Sequence, residues 1–264
     1  MAKRPPVRRL ALLVEYDGTA YGGSQHQENA PTVQGVLEEA LSRLTSEQIR
    51  VALAGRTDAG VHALGQVAAF STSSRYRADV VLRACNARLP RDVAVRAARE
   101  VDLGFNPRGE ARNRWYRYTV STRAVRPALM RNRAWHVPQA LDLDAMRTAA
   151  AVLPGSHDFA AFAPRSEAER GSTTRVVTMA EWARAGDEVT FDIEANAFLQ
   201  RMVRRLVAAL VEVGKGRRTA TEFRSLLEEA VPGSATATAP ARGLCLMKVR
   251  YESGLFDDET NEDI

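Results

Sequence analysis

The stretch AGRTDAGVH, Ala54 to His62, holds a single carboxylate, Asp58, in a loop with two glycines. Arg56 stands two residues before it and His62 four after. An acid so placed suits a turn former, a metal ligand or a nucleophile. The four histidines, His26, His62, His136 and His157, are scattered, and no H-x-x-x-H, paired-cysteine or Asp-rich pattern accompanies them. A G-x-S-x-G elbow, a Walker loop and a Rossmann fingerprint are also missing from the sequence. Asp58 is left as a turn residue or a carboxylate nucleophile.

Two further groups bear on that choice. In FLQRMVRRLVAALVEVG, Phe198 to Gly214, a step of roughly 100° per residue gathers Met202, Val203, Leu206, Val207, Leu210, Val211 and Val213 into an apolar arc. Arg201, Arg205 and Glu212 fall opposite, and Arg204 sits at the border. A guanidinium there either finds a carboxylate or snorkels to solvent. In ARNRWYRYTV, Arg112, Arg114 and Arg117 are interleaved with Trp115, Tyr116 and Tyr118. Such a strand can grip phosphate and stack a base, or place tyrosines in a core with arginines outside.

The elements that must carry these residues are legible in order. RLALLVEY is a predicted strand, and TVQGVLEEALSRLT a helix capped by Thr32. VALAG and QVAAFS are strands around the Asp58 loop, ADVVLRACNARL a helix that stops at Pro90, and VAVRAAR a strand. The order β-α-β-β-α-β then recurs in WYRYTVST, LDAMRTAAAVL, a hairpin turning at Gly186-Asp187, the Arg204 helix and GLCLMKVRYE, with AWHV an extra strand and ATEFRSLLEEA an extra helix. The expectation is an α+β protein of two ferredoxin-like halves, residues 1–103 and 104–252, with a cleft where their sheets meet. An acidic, mobile tail over residues 253–264 is expected to follow.

Composition narrows the function class. The chain has 264 residues and a formal net charge of +5. The tail holds Asp257, Asp258, Glu259, Glu262 and Asp263 and no base, so residues 1–252 carry +10. That balance suits a polyanionic partner such as nucleic acid, although arginine-rich coding would produce it too: only Lys3, Lys215 and Lys248 are lysines among 37 basic residues. No apolar run approaches the roughly 18 residues of a membrane span, and the basic N-terminus lacks a signal peptide's apolar block. Cys85 and Cys245 form no pairing motif, which points to a reducing cytoplasm.

The chain resembles the tRNA pseudouridine synthases of the TruA type from about Leu10 to Tyr251. The central motif is GRTDAGVHALGQV, Gly55 to Val67, with YDGTAYGGSQHQ (Tyr16–Gln27), TVQGVLEEAL (Thr32–Leu41), RWYRY (Arg114–Tyr118), NAFLQRMVR (Asn196–Arg204) and GLCL (Gly243–Leu246) in family order. One departure is Gly23-Ser24-Gln25, where the family usually has G-W-Q.

The resemblance implies a homodimer that binds tRNA and isomerises uridine to pseudouridine at positions 38 to 40 of the anticodon stem-loop, with no metal or organic cofactor. It aligns the essential aspartate with Asp58, the active-site tyrosine with Tyr116 and its paired arginine with Arg204. Arg56 aligns with the arginine implicated in RNA binding and base flipping. Gln25, His62, Arg114 and Arg117 are further expected RNA contacts. A non-catalytic RNA-binding protein and a metal-dependent nuclease are the readings from other classes. The intact Asp58, Tyr116 and Arg204 argue against the first, and the lack of a ligand cluster against the second.

Overall fold

The computed structural model describes residues 6–259. In chain order the elements are β1 (Arg8–Tyr16), α1 (Val33–Thr45), β2 (Val51–Leu53), β3 (His62–Thr72), α2 (Ala78–Asn86), β4 (Val93–Val101), β5 (Ala111–Ser121), β6 (Trp135–His136), α3 (Leu143–Ala150), β7 (Gly155–Asp158), α4 (Arg165–Ala168), β8 (Thr174–Ala185), β9 (Glu188–Ala195), α5 (Met202–Gly214), α6 (Ala220–Glu229) and β10 (Leu244–Tyr251). This is an α+β architecture. Among the described residues, 6–112 with 246–259 form one compact unit and 113–245 the other.

In the first unit the strands run β4-β1-β3, all antiparallel, with β2 paired to β3. Leu12 lies opposite Ala68 of β3 and Ala98 of β4. Alternation put Leu10, Leu12, Val14 and Tyr16 on one face of β1, yet Ala11 and Leu13 are buried as well. Both faces of this central strand are therefore covered, which is why its sequence reads as a nearly continuous apolar run. Thr32 caps α1 as its position predicts: its hydroxyl oxygen accepts from Gly35 N–H at 3.2 Å. Leu37 and Leu41, four apart on that helix, are fully buried.

The C-terminal segment belongs to this unit. Gly65 of β3 lies against β10, and a Cβ at Gly65 would come within 2.2 Å of Met247 O. The tail expected to be mobile makes defined contacts over its described part. Phe256 is buried beneath the Arg99 guanidinium, whose carbon lies 5.3 Å from the ring centroid. Asp258 accepts from Arg99 at 2.6 Å, and Asp257 lies 3.1 Å from the buried ammonium of Lys248. The Arg99 hydrogen bond holds the Asp258 carboxyl below the usual aspartate range. The rest of the tail, 260–264, lies outside the described residues.

In the second unit β9 is central to β5 and β8, and β7 extends the β8 edge. Tyr116 pairs with Ile193 and Tyr118 with Phe191. The predicted hairpin turns at Gly186, where φ is +59° and glycine is favoured. Tyr118, Phe159, Phe162, Phe191 and Phe223 are the largest fully buried side chains here. The Arg204 helix starts at Met202 rather than Phe198. Arg201 adopts φ +60°, a left-handed conformation that cannot continue a right-handed helix, and residues 199–202 close a turn through Met202 N–H to Leu199 O at 3.1 Å. Strand β7 and the short α4 carry no clear period and were not anticipated.

Candidate active site

The Asp58 loop is fastened on two sides by buried polar contacts. On one side lies the segment after β1. Ser24 N–H donates to Thr57 O at 3.0 Å, and Thr57 N–H donates to Ser24 Oγ at 2.8 Å. Gly23 and Asp58 form an antiparallel bridge. Gly23 has φ +121°, and a Cβ there would stand 2.9 Å from Thr57 O, so only glycine lets the two segments approach without strain. On the other side lies β3. The Gln66 amide donates to Gly55 O at 2.9 Å and accepts from Gly55 N–H at 3.3 Å. Tyr16 OH meets Thr57 Oγ1 at 2.8 Å.

Backbone alternation then sorts the motif. Thr57 is buried, while Arg56 is exposed and Asp58 half-buried. A turn closes behind the acid, Val61 N–H to Asp58 O at 3.1 Å, with Gly60 at φ +77°. Of the two glycines that flank Asp58, Gly60 supplies the left-handed turn residue, and Gly55 docks on the Gln66 side chain. The sequence motif is thus a clamp: its buried residues hold the loop, and its outward residues are an arginine and a carboxylate.

His62 is buried within this clamp. Its Nδ1 accepts from Gly18 N–H at 3.1 Å and lies 3.2 Å from Asp17 Oδ1. Asp17 in turn accepts from Thr19 N–H at 3.0 Å. A Cβ on Gly18 would overlap Val61 O at 2.0 Å, so the YDG turn packs directly on the residue before His62. Gln25 is exposed at the start of the connection to α1.

In the second unit, Arg114, Tyr116 and Tyr118 share one face of β5. Tyr116 is buried with Phe198 edge-on at 5.1 Å. Arg114, also buried, donates to Asn196 O at 2.7 Å. The Asn196 side chain accepts from Val176 N–H and Ala197 N–H, which secures the chain as it leaves β9. Tyr118 OH donates to Pro240 O at 2.8 Å, and burial pushes its phenol well above the ordinary tyrosine range. Gly243, in GLCL, faces that ring so closely that a Cβ would be 2.5 Å from it.

Arg204 belongs to the same corner. Its Nε donates to Ala239 O at 2.8 Å, and Ala239 N–H donates to Arg204 O at 3.0 Å. Side chain and main chain together hold the loop that also takes the Tyr118 hydroxyl. Arg205, placed opposite the apolar arc by the helical step, is half-buried, donating to Ala163 O at 2.7 Å; desolvation lowers its pKa. Arg117 points to the other face of β5, where it pairs with Asp192 at 2.9 Å and lies 5.4 Å from the Trp115 ring centroid.

Of the supporting residues, Thr57, Gln66 and Asn196 were not singled out from sequence, while Tyr16 was read only as a strand residue, Ser24 only as a departure from the family pattern and Tyr118 only as one of the strand's aromatics. All lie inside the quoted motifs, and buried polar types within an apolar pattern were the available signal. Among the described residues no group of three or more His, Cys, Asp or Glu could hold a metal ion, and no helix is long and apolar enough to cross a membrane.

A family model described as tRNA pseudouridine synthase matches residues 12–108 and 149–252. Curated relatives agree. The tRNA pseudouridine synthase A of Pelobacter propionicus is 44% identical over 93% of this chain and 100% of its own length. Those of Myxococcus xanthus and Geobacter sulfurreducens are each 45% identical over 93% of the chain, covering 93% and 100% of theirs. Among solved structures, a Cbf5-Nop10-Gar1 complex covers 77% of this chain and 45% of its own at 13% identity and a TM-score of 0.33, too slight a likeness to bear on the fold. The family model's match takes in the Asp58 clamp in the first unit and the Arg204 helix in the second, and the chain belongs to the tRNA pseudouridine synthase family, isomerases that turn uridine into pseudouridine.

Proposed function

We propose that the chain acts at positions 38 to 40 of the tRNA anticodon stem-loop, with Asp58 as the reacting carboxylate. The observation that carries this is the clamp. Hydrogen bonds hold Gly55 and Thr57 ahead of Asp58 and Val61 and His62 behind it, and Arg56 is exposed in the same loop. A stacked uracil must leave the helix to be reached, at a cost of a few kcal/mol. Arg56 offsets part of that by filling the vacated space or holding a phosphate.

The isomerisation breaks the N1–C1′ bond and joins C5 to C1′; C5 loses its hydrogen and N1 gains one. A carboxylate suits the developing cation at C1′. Tyr116 is assigned to stacking on the uracil and moving a proton, and Arg204 to pairing with the Asp58 carboxylate. Arg114 and His62, expected as RNA contacts, are buried, so their part is assigned to holding the segments that meet RNA. Gln25 and the Asp192-paired Arg117 are assigned direct contacts. The repeated β-α-β-β-α-β order supports two ferredoxin-like halves. A homodimer, a cytoplasmic location and chemistry without metal or organic cofactor complete the reading.

The test is an unmodified tRNA carrying uridines at 38 to 40, incubated with the enzyme in excess chelator and mapped for pseudouridine. Product at those positions is expected. Product elsewhere, or none without added metal, contradicts the assignment.

A further inference from the structure

The contact between Ser24 and Thr57 has a feature that a plain strand bridge lacks. Ser24 is fully buried, and each of its polar groups reaches an element of the site. Its N–H donates to Thr57 O at 3.0 Å, its carbonyl accepts from Gln34 N–H at 2.9 Å, and its hydroxyl oxygen accepts from Thr57 N–H at 2.8 Å. The first and third bonds grip one residue, the neighbour of Asp58, from both its amide and its carbonyl. The second ties the same serine to the first turn of α1. A buried main-chain N–H without an acceptor is costly, so the Thr57 amide depends on a side-chain oxygen at position 24.

We propose that Ser24 is a positioning residue for Asp58: its hydroxyl oxygen fixes the Thr57 peptide and so sets the direction in which the carboxylate leaves the loop. The position is the one at which the resembling family usually carries tryptophan, whose indole N–H has no oxygen to offer. The serine makes this clamp a property of the present chain. A carboxylate that must reach one carbon of a flipped nucleotide is sensitive to displacements of an ångström; the hydroxyl holds the Arg56–Thr57 peptide while the serine N–H holds the Thr57–Asp58 peptide, so the two bonds together fix the backbone that leads into Asp58. The proposal rests on Asp58 being the reacting carboxylate.

The experiment measures turnover of tRNA tritiated at uridine C5, whose label is released to water as C5 bonds to C1′, with wild type, Ser24→Ala, Ser24→Thr and Asp58→Ala. Ser24→Ala is expected to lower kcat about tenfold with KM changed less than about twofold, because the loop carries only Arg56 of the several assigned RNA contacts. Ser24→Thr, which keeps the oxygen, restores kcat to within about threefold of wild type. Hydrogen exchange at the Thr57 amide rises about tenfold or more in Ser24→Ala and returns in Ser24→Thr. Should the threonine variant not fold, the Thr57 exchange rate and kcat of Ser24→Ala decide alone.

A Ser24→Ala enzyme with kcat within about twofold of wild type, or one whose loss equals its unfolded fraction, overturns the proposal. If Asp58→Ala is inactive in that case, only the role of Ser24 falls. An active Asp58→Ala overturns the assignment of Asp58 and the proposal with it.

Discussion

Asp58 could be read from sequence only as an acid in a glycine turn, and its setting explains why. Nothing in AGRTDAGVH distinguishes a solvent-exposed hairpin from a loop held by Ser24, Gln66 and Tyr16, which lie 34, 8 and 42 residues away. Contacts so distant in sequence leave no local period. Two residue-level consequences can be measured. Gly243 touches the Tyr118 ring, so Gly243→Ala must push that ring aside and is expected to cost about 1–3 kcal/mol in denaturant unfolding. Tyr118→Phe, which leaves the Pro240 carbonyl with only its longer 3.5 Å bond from Gly243 N–H, is expected to cost about 1 kcal/mol. Cys85 is buried and its thiol is pushed up to about 11, so it stays protonated in neutral buffer. A thiol reagent at pH 7.5 is expected to spare Cys85 in the native protein and label it once the chain is unfolded, with peptide mapping as the readout.

At the scale of elements, local chemistry was more legible than register. The Thr32 cap, the turn at Gly186-Asp187 and the apolar arc of α5 followed from residue types at fixed spacing, because each is satisfied within a few residues. The start of α5 did not. FLQRMVR steps like a helix throughout, and only the left-handed backbone at Arg201 shows that the first turn is something else. The capping box of α6 tests the local account: Thr219 and Glu222 exchange hydrogen bonds between side chain and main chain. Thr219→Ala is expected to lower stability by about 1 kcal/mol, read from the unfolding midpoint, with turnover of the folded enzyme unchanged.

For the whole molecule, charge was the least decisive sequence signal, and its arrangement sharpens it. The acidic tail does not simply dilute a basic body, since Asp258 meets Arg99 and Asp257 the buried Lys248. Asp257→Asn leaves that ammonium without its charged partner and is expected to cost about 1–3 kcal/mol. The Asp258 carboxyl, held below its ordinary range by Arg99, contributes its full stabilisation above about pH 4 and loses it as pH falls through the lowered value. The difference in stability between wild type and Asp258→Asn should therefore be constant near neutrality and disappear only in strong acid. Arg56→Ala is expected to weaken tRNA binding and reduce the slope of log affinity against log salt by about one. The central claim is that Asp58, presented by its clamp, performs the isomerisation. Its most direct test is tritium release from C5-labelled tRNA by Asp58→Ala, with tRNA affinity measured on the same preparation. The account predicts wild-type affinity and no release above background; release at a rate approaching wild type would contradict it.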